Sequence, residues 1–445
     1  MSQTSPHIAI LGAVRSGLGA ARLAAREGAR VTLFDEAEPE KLSRSIEIAA
    51  KEGFGIVTGA EARDLVVQPG EYDLVVLSPG FDLQWPLPKK FIDAGVPATG
   101  EMEFGYQRCK TPFVAITGTN GKSTTTELLA EILNRCGRRS LPCGNHGMAL
   151  CEVLVSGEEY DVLSLEVSSF QLETTLTFRP PVSMWLNFAP DHLDRYPDEQ
   201  SYFEAKHRIF MNQTEDDVAI VNAAEVARIG SIRPQLITFS AWPEYSDATW
   251  FYRDGEFHHA GQSIGNASQI RLRGRHNMEN ILAALAAGHA MGLAAAEMMN
   301  AVASYEPPAH RCELVRVHDG REYINDSKAT NLHALESCVR SLDNTLVLIA
   351  GGKEKGLDYA PLASVLPGKV RALVLIGEIA PALADQFGDI VPCHVATDMD
   401  DAVRTAAKLS QPGDAIVLSP GTSSFDMYSG YAERGDHFRR AAHAL

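Results

Sequence analysis

Short apolar runs rich in valine, isoleucine and leucine recur along this chain, each closed by glycine, serine, asparagine or aspartate. Residues 8–11, 31–35, 73–77, 114–117, 162–167, 183–188, 346–350, 373–377 and 415–418 have the length and near-continuous hydrophobicity of strands buried on both faces. Between them lie segments with helical spacing. After residue 122, Leu128, Leu129, Ile132 and Leu133 recur at i, i+3 and i+4, which predicts a helix. An Ala/Leu-rich stretch up to Gly28, residues 201–210, and an alanine-rich run from Asn277 through Gly288 read as further helices. Strand and helix alternate over most of the chain, so the expected class is α/β, with sheets covered by helices. Residues 230–270, rich in Trp, Tyr, His and Gly, break this rhythm and predict short strands and turns. No internal repeat or low-complexity segment stands out.

Proline and glycine mark two interruptions. Pro86, Pro88, Gly95 and Pro97 look like the exit from a first domain, and Tyr305-Glu-Pro-Pro308 looks like a second boundary. The predicted organisation is therefore three domains: a Rossmann-like N-terminal domain over 1–99, a central P-loop-type ATPase domain over 100–306, and a Rossmann-like C-terminal domain over 307–445. A chain of 445 residues accommodates this at roughly 100–200 residues per domain.

Composition narrows the function classes. A hydrophobic content of 45% and a charged content of 22% belong to an ordinary globular protein with large cores. A formal net charge of −17 argues against nucleic acid as the main partner. The seven cysteines form no C-x-x-C, so neither a zinc cage nor a disulfide framework is predicted, and a reducing compartment is expected. The N-terminal residues carry no basic leader with a long apolar core, and no apolar run reaches ~18 residues. The expected location is cytoplasmic, without membrane insertion.

The chemistry centres on residues 114–126. A β-branched run ends in the loop Gly118, Thr119, Asn120, Gly121, and Lys122, Ser123 and Thr124 open the helix. Strand, glycine loop and helix N-terminus together present backbone N–H groups to a polyphosphate. Lys122 would reach the outer phosphates, and Ser123 or Thr124 would ligate Mg²⁺. Ile116 stands where the full G-x-x-x-x-G-K-[ST] pattern has its first glycine. The stretch is read as an ATP site.

Other candidates lie at strand ends. Glu166 closes an apolar strand, and reads either as a buried acid or as a Mg²⁺ ligand. Asp191, His192 and Asp194 cluster after a strand, a place for a second cation. Lys206, on pattern alone, is a helix lysine. Asn277 either caps a helix or contacts a base. Near the N-terminus, Gly12 and Gly17 frame a degraded dinucleotide fingerprint whose middle glycine is Val14, and Asp35 closes the second strand where a ribose contact is expected. That unit reads equally as a scaffold or as a holder of a nucleotide diphosphate. Ser78-Pro-Gly80 ends a further strand. In the last third, Asp326, Lys328 and Thr330, residues 351–355, and residues 419–426 follow strands and suggest a ligand cleft.

Taken together, these stretches resemble the Mur ligase family of ATP-dependent amide ligases in bacterial peptidoglycan precursor synthesis. The motifs that carry the resemblance are residues 117–123, Gly144-Asn145, residues 166–171, Asp191-His192, Lys206, residues 274–277, His310-Arg311 and residues 325–330. They span all three expected domains. Within the family, residues 191–197, 324–331 and 418–426 are most similar to the member that joins D-glutamate to UDP-N-acetylmuramoyl-L-alanine.

The resemblance implies a set of roles. ATP would be held by Gly118, Thr119, Asn120, Gly121, Lys122, Ser123, Thr124, Asn277, Arg311 and Asp326. The UDP substrate would meet Val14, Arg15, Asp35, Ser78, Gly80 and Asn145. D-glutamate would meet Lys328, Thr330, Lys355, Ser424, Phe425 and Tyr431. Two Mg²⁺ ions would be served by Ser123, Glu166, His192 and Lys206, the last as a carbamate, and Lys122, His192 and Lys206 would be catalytic. The reaction would pass through an acyl phosphate in a monomeric protein, with the C-terminal domain closing about the junction at 306–308. This chain departs from the family pattern at Gly421-Thr-Ser, at Tyr431 where a Phe is familiar, and at Lys353 where an Asp is common. Rival readings are a related ligase for another amino acid (folylpolyglutamate-type included), a nucleotide-binding oxidoreductase built on the N-terminal unit, and a non-catalytic ATP switch.

Overall fold

The first sheet is built from β1 (His7–Leu11), β2 (Arg30–Asp35), β3 (Gly55–Thr58), β4 (Leu74–Leu77) and β5 (Ala98–Gly100). Every pairing in it is parallel, in the order β3-β2-β1-β4-β5. All five residues of β1 are buried, as expected of a central strand with helices on both faces. The order reverses between β1 and β4, which opens a crevice at their carboxyl ends. The structure is a computed structural model that describes residues 5–192, 195–307 and 309–445. Asp194 and Pro308, singled out above, lie outside the described residues.

The expected exit at residues 86–98 is instead a helix, Pro86–Asp93, followed by β5 at the edge of the first sheet. Proline misleads here for a physical reason. Pro86 takes the first helical position, where its missing N–H has no intrahelical partner to lose. Gly95 then ends the helix in the left-handed region, at φ 80, and its N–H reaches the Ile92 carbonyl at 2.9 Å.

The central sheet contains β6 (Phe113–Thr117), β7 (Ser140–Gly144), β8 (Val162–Glu166), β9 (Val182–Trp185), β10 (Val218–Asn222) and β11 (Gln235–Ser240). These six are parallel, in the order β11-β10-β9-β6-β8-β7. β9 stops before the expected residue 188 because Asn187 turns into the phosphate loop. Its Oδ1 accepts the Asn120 N–H at 2.8 Å, and its Nδ2 donates to the Asn120 carbonyl at 3.0 Å. Trp185, Tyr202, Phe203 and Phe210 pack together in this core. The two sheets share one compact unit, Met1–Phe239 with Ala283–Ala301. Within it the helices Arg15–Arg26 and Leu150–Val155 approach so closely that a Cβ on Gly19 would lie 3.0 Å from the Glu152 nitrogen.

The second compact unit comprises Ser240–Leu282 and Val302–Leu445. It begins with an antiparallel meander, β12 (Trp250–Arg253), β13 (Glu256–His259) and β14 (Gln262–Asn266). Its tight turns have left-handed pairs at Asp254-Gly255 and Ala260-Gly261, which suit the twist of a hairpin. The unit also holds a sheet of β15 (Glu313–His318), β16 (Arg321–Asn325), β17 (Leu346–Gly351), β18 (Val370–Ile376), β19 (Cys393–Val395) and β20 (Ala415–Leu418). The order is β15-β16-β20-β17-β18-β19, antiparallel only between β15 and β16. Because β20 returns between β16 and β17, the residues following those three strands gather at one edge. Among the described residues, no helix is long and apolar enough to cross a membrane.

Candidate active site

The phosphate loop is held both by its neighbours and by its own Thr119 and Lys122 side chains. Thr117, at the end of β6, donates its hydroxyl to the Val167 carbonyl at 2.9 Å. Gly118 has φ 151, and a Cβ there would come within 3.0 Å of Leu186. The Thr119 N–H reaches the Asn187 carbonyl at 3.0 Å, and its hydroxyl bonds to the backbone of Ala189. Gly121, at φ 83, is the N-cap of the helix Lys122–Arg135 and supplies no side chain to cap it. The first-turn N–H groups and the helix dipole therefore point at the loop, the arrangement that binds phosphate. Ser123 and Thr124 occupy that first turn, Thr124 buried.

Lys122 folds back so that its Nζ donates to the carbonyls of Gly118 and Thr119, both at 2.9 Å. Lys206 reaches the same place from the helix Glu199–His207, which Asp198 caps by accepting the Ser201 N–H at 2.7 Å. Its side chain is almost wholly buried, its Nζ donates to the Gly118 carbonyl at 2.9 Å, and it sits 4.7 Å from the Tyr202 ring centre. Burial pushes its pKa well below the usual lysine value. The Lys122 ammonium pushes the same way, and Asp191 and Glu166 pull against them. This is no ordinary helix lysine, because its environment favours the neutral amine.

Glu166 ends β8 at 2% exposure. One carboxylate oxygen accepts the Asn145 side-chain amide at 2.7 Å, and the other is buried without a hydrogen bond. A buried carboxylate oxygen left without a hydrogen bond suits a cation. Asn145 is itself anchored by its N–H to the Glu166 carbonyl at 2.9 Å. The preceding Gly144 is required, since a Cβ there would fall 2.3 Å from that carbonyl oxygen. His192 has φ 55, with its ring 4.9 Å from Phe170 and its Nε2 3.9 Å from an Asp191 oxygen.

The crevice of the first sheet gathers Val14, Arg15, Asp35 and Ser78. Gly12 lies at φ 97, and a Cβ on it would come 2.6 Å from the Ser78 hydroxyl. That hydroxyl is buried and has no hydrogen-bond partner. Asp35 braces the crevice by accepting the N–H groups of Ala13 at 2.9 Å and Ala37 at 3.0 Å. Val14 is exposed at the start of the helix Arg15–Arg26, Arg15 pairs with Glu152 at 3.1 Å, and Gly80 borders open space. Asn145 belongs instead with Glu166. Arg195, within the motif at residues 191–197 but given no role by the sequence, lies over Phe170 at 4.4 Å, donates to Glu173 at 2.7 Å and reaches the Phe81 carbonyl at 3.3 Å.

In the second unit, Asn277 is buried in the helix Arg275–Ala290. It donates to the Arg273 carbonyl at 2.7 Å and accepts from Asn280 at 3.0 Å, so it is not the N-cap. Arg311 stands between two left-handed residues, His310 at φ 70 and Cys312 at φ 46. Asp326, just after β16, accepts the Cys312 N–H at 3.2 Å and the Ser419 hydroxyl at 3.0 Å, and burial pushes its pKa up to about 6. Lys328 places its ammonium 3.9 Å from the centre of the Tyr431 ring. Ser424 is buried, Thr330 half-buried, and Lys355 and Phe425 are exposed. The sequence reading also missed Arg434, 1% exposed, which donates to the hydroxyl and carbonyl of Ser327 and to the carbonyl of Thr422. Its only sequence signal is a positive charge in a polar helix.

A buried amine and a carboxylate lacking one partner, both beside a phosphate loop, go beyond what a simple nucleotide-binding scaffold needs. The fold and this site define an ATP-using transfer enzyme. The pattern of the Mur ligase middle domain matches residues 116–288, and that of the Mur ligase, glutamate ligase domain matches residues 310–421. A UDP-N-acetylmuramoylalanine–D-glutamate ligase of Trichlorobacter lovleyi is 40% identical over 98% of each chain. A ligase of the same name from Geobacter metallireducens is 39% identical over 100% of this chain and 99% of its own. Among solved structures, a MurF ligase from Thermotoga maritima in complex with ADP has a TM-score of 0.60 at 15% identity, covering 93% of this chain and 95% of its own. A UDP-N-acetylmuramate–alanine ligase from the same organism has a TM-score of 0.58 at 17% identity, covering 98% and 99%. These last two likenesses show the fold. The chain belongs to the Mur ligase family, and it is an ATP-dependent, amide-forming ligase.

Proposed function

We propose that this chain joins D-glutamate to UDP-N-acetylmuramoyl-L-alanine, a step in building peptidoglycan precursors. What carries the reading is its identity of about 40% along the full length with ligases named for that reaction. The oxidoreductase reading is disfavoured by Val14, which stands where a dinucleotide site needs a glycine.

A carboxylate does not react with an amine without activation. ATP phosphorylates the terminal carboxylate of the UDP substrate, the D-glutamate amine attacks the acyl phosphate, and the tetrahedral intermediate expels phosphate. Lys122 and the N–H groups from Gly118 to Thr124 hold the ATP phosphates and spread the charge that develops on the phosphoryl group in flight. Asn277, Arg311 and Asp326 take the nucleoside. Val14, Arg15, Asp35, Ser78 and Gly80 take the UDP moiety, where the unpartnered Ser78 hydroxyl is a ready hydrogen-bonding group. Asn145 belongs to the same substrate. Lys328, Thr330, Lys355, Ser424, Phe425 and Tyr431 receive D-glutamate.

The donors fit a metal. Glu166 has a buried oxygen without a hydrogen bond, and the Lys206 amine, whose neutral form is favoured by burial, can in that form attack CO₂ to give a carbamate with release of one proton. Ser123 and Glu166 would hold one Mg²⁺, and His192 with carbamylated Lys206 a second. When bound, the ions screen the repulsion between ATP and the acyl carboxylate. We further propose three functional domains over 1–99, 100–306 and 307–445, a monomeric state and a cytoplasmic location.

The test is phosphate release from Mg·ATP with UDP-N-acetylmuramoyl-L-alanine, comparing D-glutamate, L-glutamate, other amino acids and none. Release should require D-glutamate and match ADP and amide produced. Dependence on another amino acid would overturn the specificity.

A further inference from the structure

The second unit contains a buried polar cluster around Asp326 in which Cys312, Cys338 and His276 have no part in the ligase reaction proposed above. Cys312, Asp326 and Cys338 are all buried, and one ligand atom from each lies within 4.8 Å of the others. The two sulfurs are 3.8 Å apart. The Nε2 of His276 faces the Cys312 sulfur at 3.7 Å, while its Nδ1 is fixed by the Ser341 hydroxyl at 2.8 Å.

These separations are those of a tetrahedral thiolate site. Two zinc–sulfur bonds of about 2.3 Å at a tetrahedral angle place the sulfurs about 3.8 Å apart. A thiolate and an imidazole nitrogen on the same ion, with bonds of about 2.3 and 2.0–2.1 Å, lie about 3.6 Å apart. The supporting contacts are those of a metal centre as well. Ser341 orients the imidazole, and Ser419 together with the Cys312 N–H orients the carboxylate, each leaving ligand lone pairs available. We propose that Cys312, Cys338 and Asp326, with His276 as fourth donor, bind one thiophilic divalent cation of the Zn²⁺ class.

Two thiolates and an imidazole favour zinc or cobalt over magnesium, so this site is distinct in chemistry from the one beside the phosphate loop. It joins the start of β15, the end of β16, the helix Leu332–Ser341 and the helix Arg275–Ala290. Cation binding therefore cross-links four elements and raises the stability of this unit.

The probe is Co²⁺, added to the full chain after reduction and removal of metals by a chelator. Thiolate-to-cobalt charge-transfer absorption should saturate at one equivalent and disappear when Zn²⁺ is added. C312A and C338A, checked for folding by circular dichroism, should weaken cobalt binding at least tenfold. C109A and C393A should leave it unchanged. Unfolding of the wild type should shift upward with Zn²⁺, a readout that needs no variant. The absence of a charge-transfer band in folded wild type would overturn the site. So would a band that survives both substitutions, or a wild-type mass two hydrogens low, which would make the pair a disulfide.

Discussion

Lys206 donates the hydrogen bond of its buried amine to the carbonyl of Gly118, 88 positions earlier, at 2.9 Å. Lys122 donates to that same oxygen at the same distance. The two amines are thus brought together by one backbone atom, and their mutual repulsion adds to burial in driving Lys206 toward neutrality. An amine whose neutral form is favoured beside a phosphate loop suits the carbamate proposed above. Lys206→Met should lower kcat by about 10²–10³-fold, the range of removing one electrostatic group from a transition state. Carbon-13 bicarbonate should give a protein-bound carbamate signal in wild type and none in the variant. A wild type without that signal would refute the carbamate.

Glu166→Gln keeps the acceptor for Asn145 and removes the charge. The Mg²⁺ concentration for half-maximal activity should rise about tenfold or more, since even outer-shell changes at metal sites cost that much. Activity measured against Mg²⁺ checks this. An unchanged midpoint would make Glu166 a structural acid.

Tyr431 offers its ring face to Lys328. Tyr431→Phe retains the face, and its KM for D-glutamate should stay within about twofold of wild type. Tyr431→Ala should raise it about 2–5-fold, the kinetic equivalent of about 0.5–1 kcal/mol of cation–π interaction. Equal effects of Phe and Ala would point to the hydroxyl instead.

Glu101 is buried at the start of the helix Glu101–Tyr106. It accepts the Cys151 N–H at 2.8 Å, and its second oxygen is without a hydrogen bond. Burial pushes its pKa up, so the folded chain holds this proton more tightly than the unfolded chain. The stability that results is complete below the ordinary glutamate pKa, and is lost as pH rises through the raised value. Glu101→Gln should therefore gain more Tm over wild type at about pH 8 than at about pH 4.5, by ~2 °C per kcal/mol. Thermal melts at both pH values decide it. A pH-independent difference would mean that the charge is not the cause.

Strands are the most legible part of this chain, because a strand covered on both faces must be apolar at nearly every position. β1, β6, β8, β17 and β20 stand out for that reason. The phosphate loop was legible too, since its glycines and its Lys-Ser-Thr are adjacent in the chain. Residues 86–98 were not. A proline that starts a helix and a proline in a linker are the same letter, and only the pairing of β5 with β4 distinguishes them.

What local order in the chain could settle was therefore element type, the α/β class and a candidate ATP loop. These depend on residues a few positions apart. The burial of Lys206 and Arg434, the unpartnered oxygen of Glu166, and the gathering of Cys312, Asp326, Cys338 and His276 were settled by folding. Seven cysteines without a C-x-x-C gave no hint of a metal centre, yet the start of β15 and the helix Leu332–Ser341 bring two of them to 3.8 Å. Desolvation and ligand geometry arise from partners distant in sequence, and a pattern of neighbours carries no information about them.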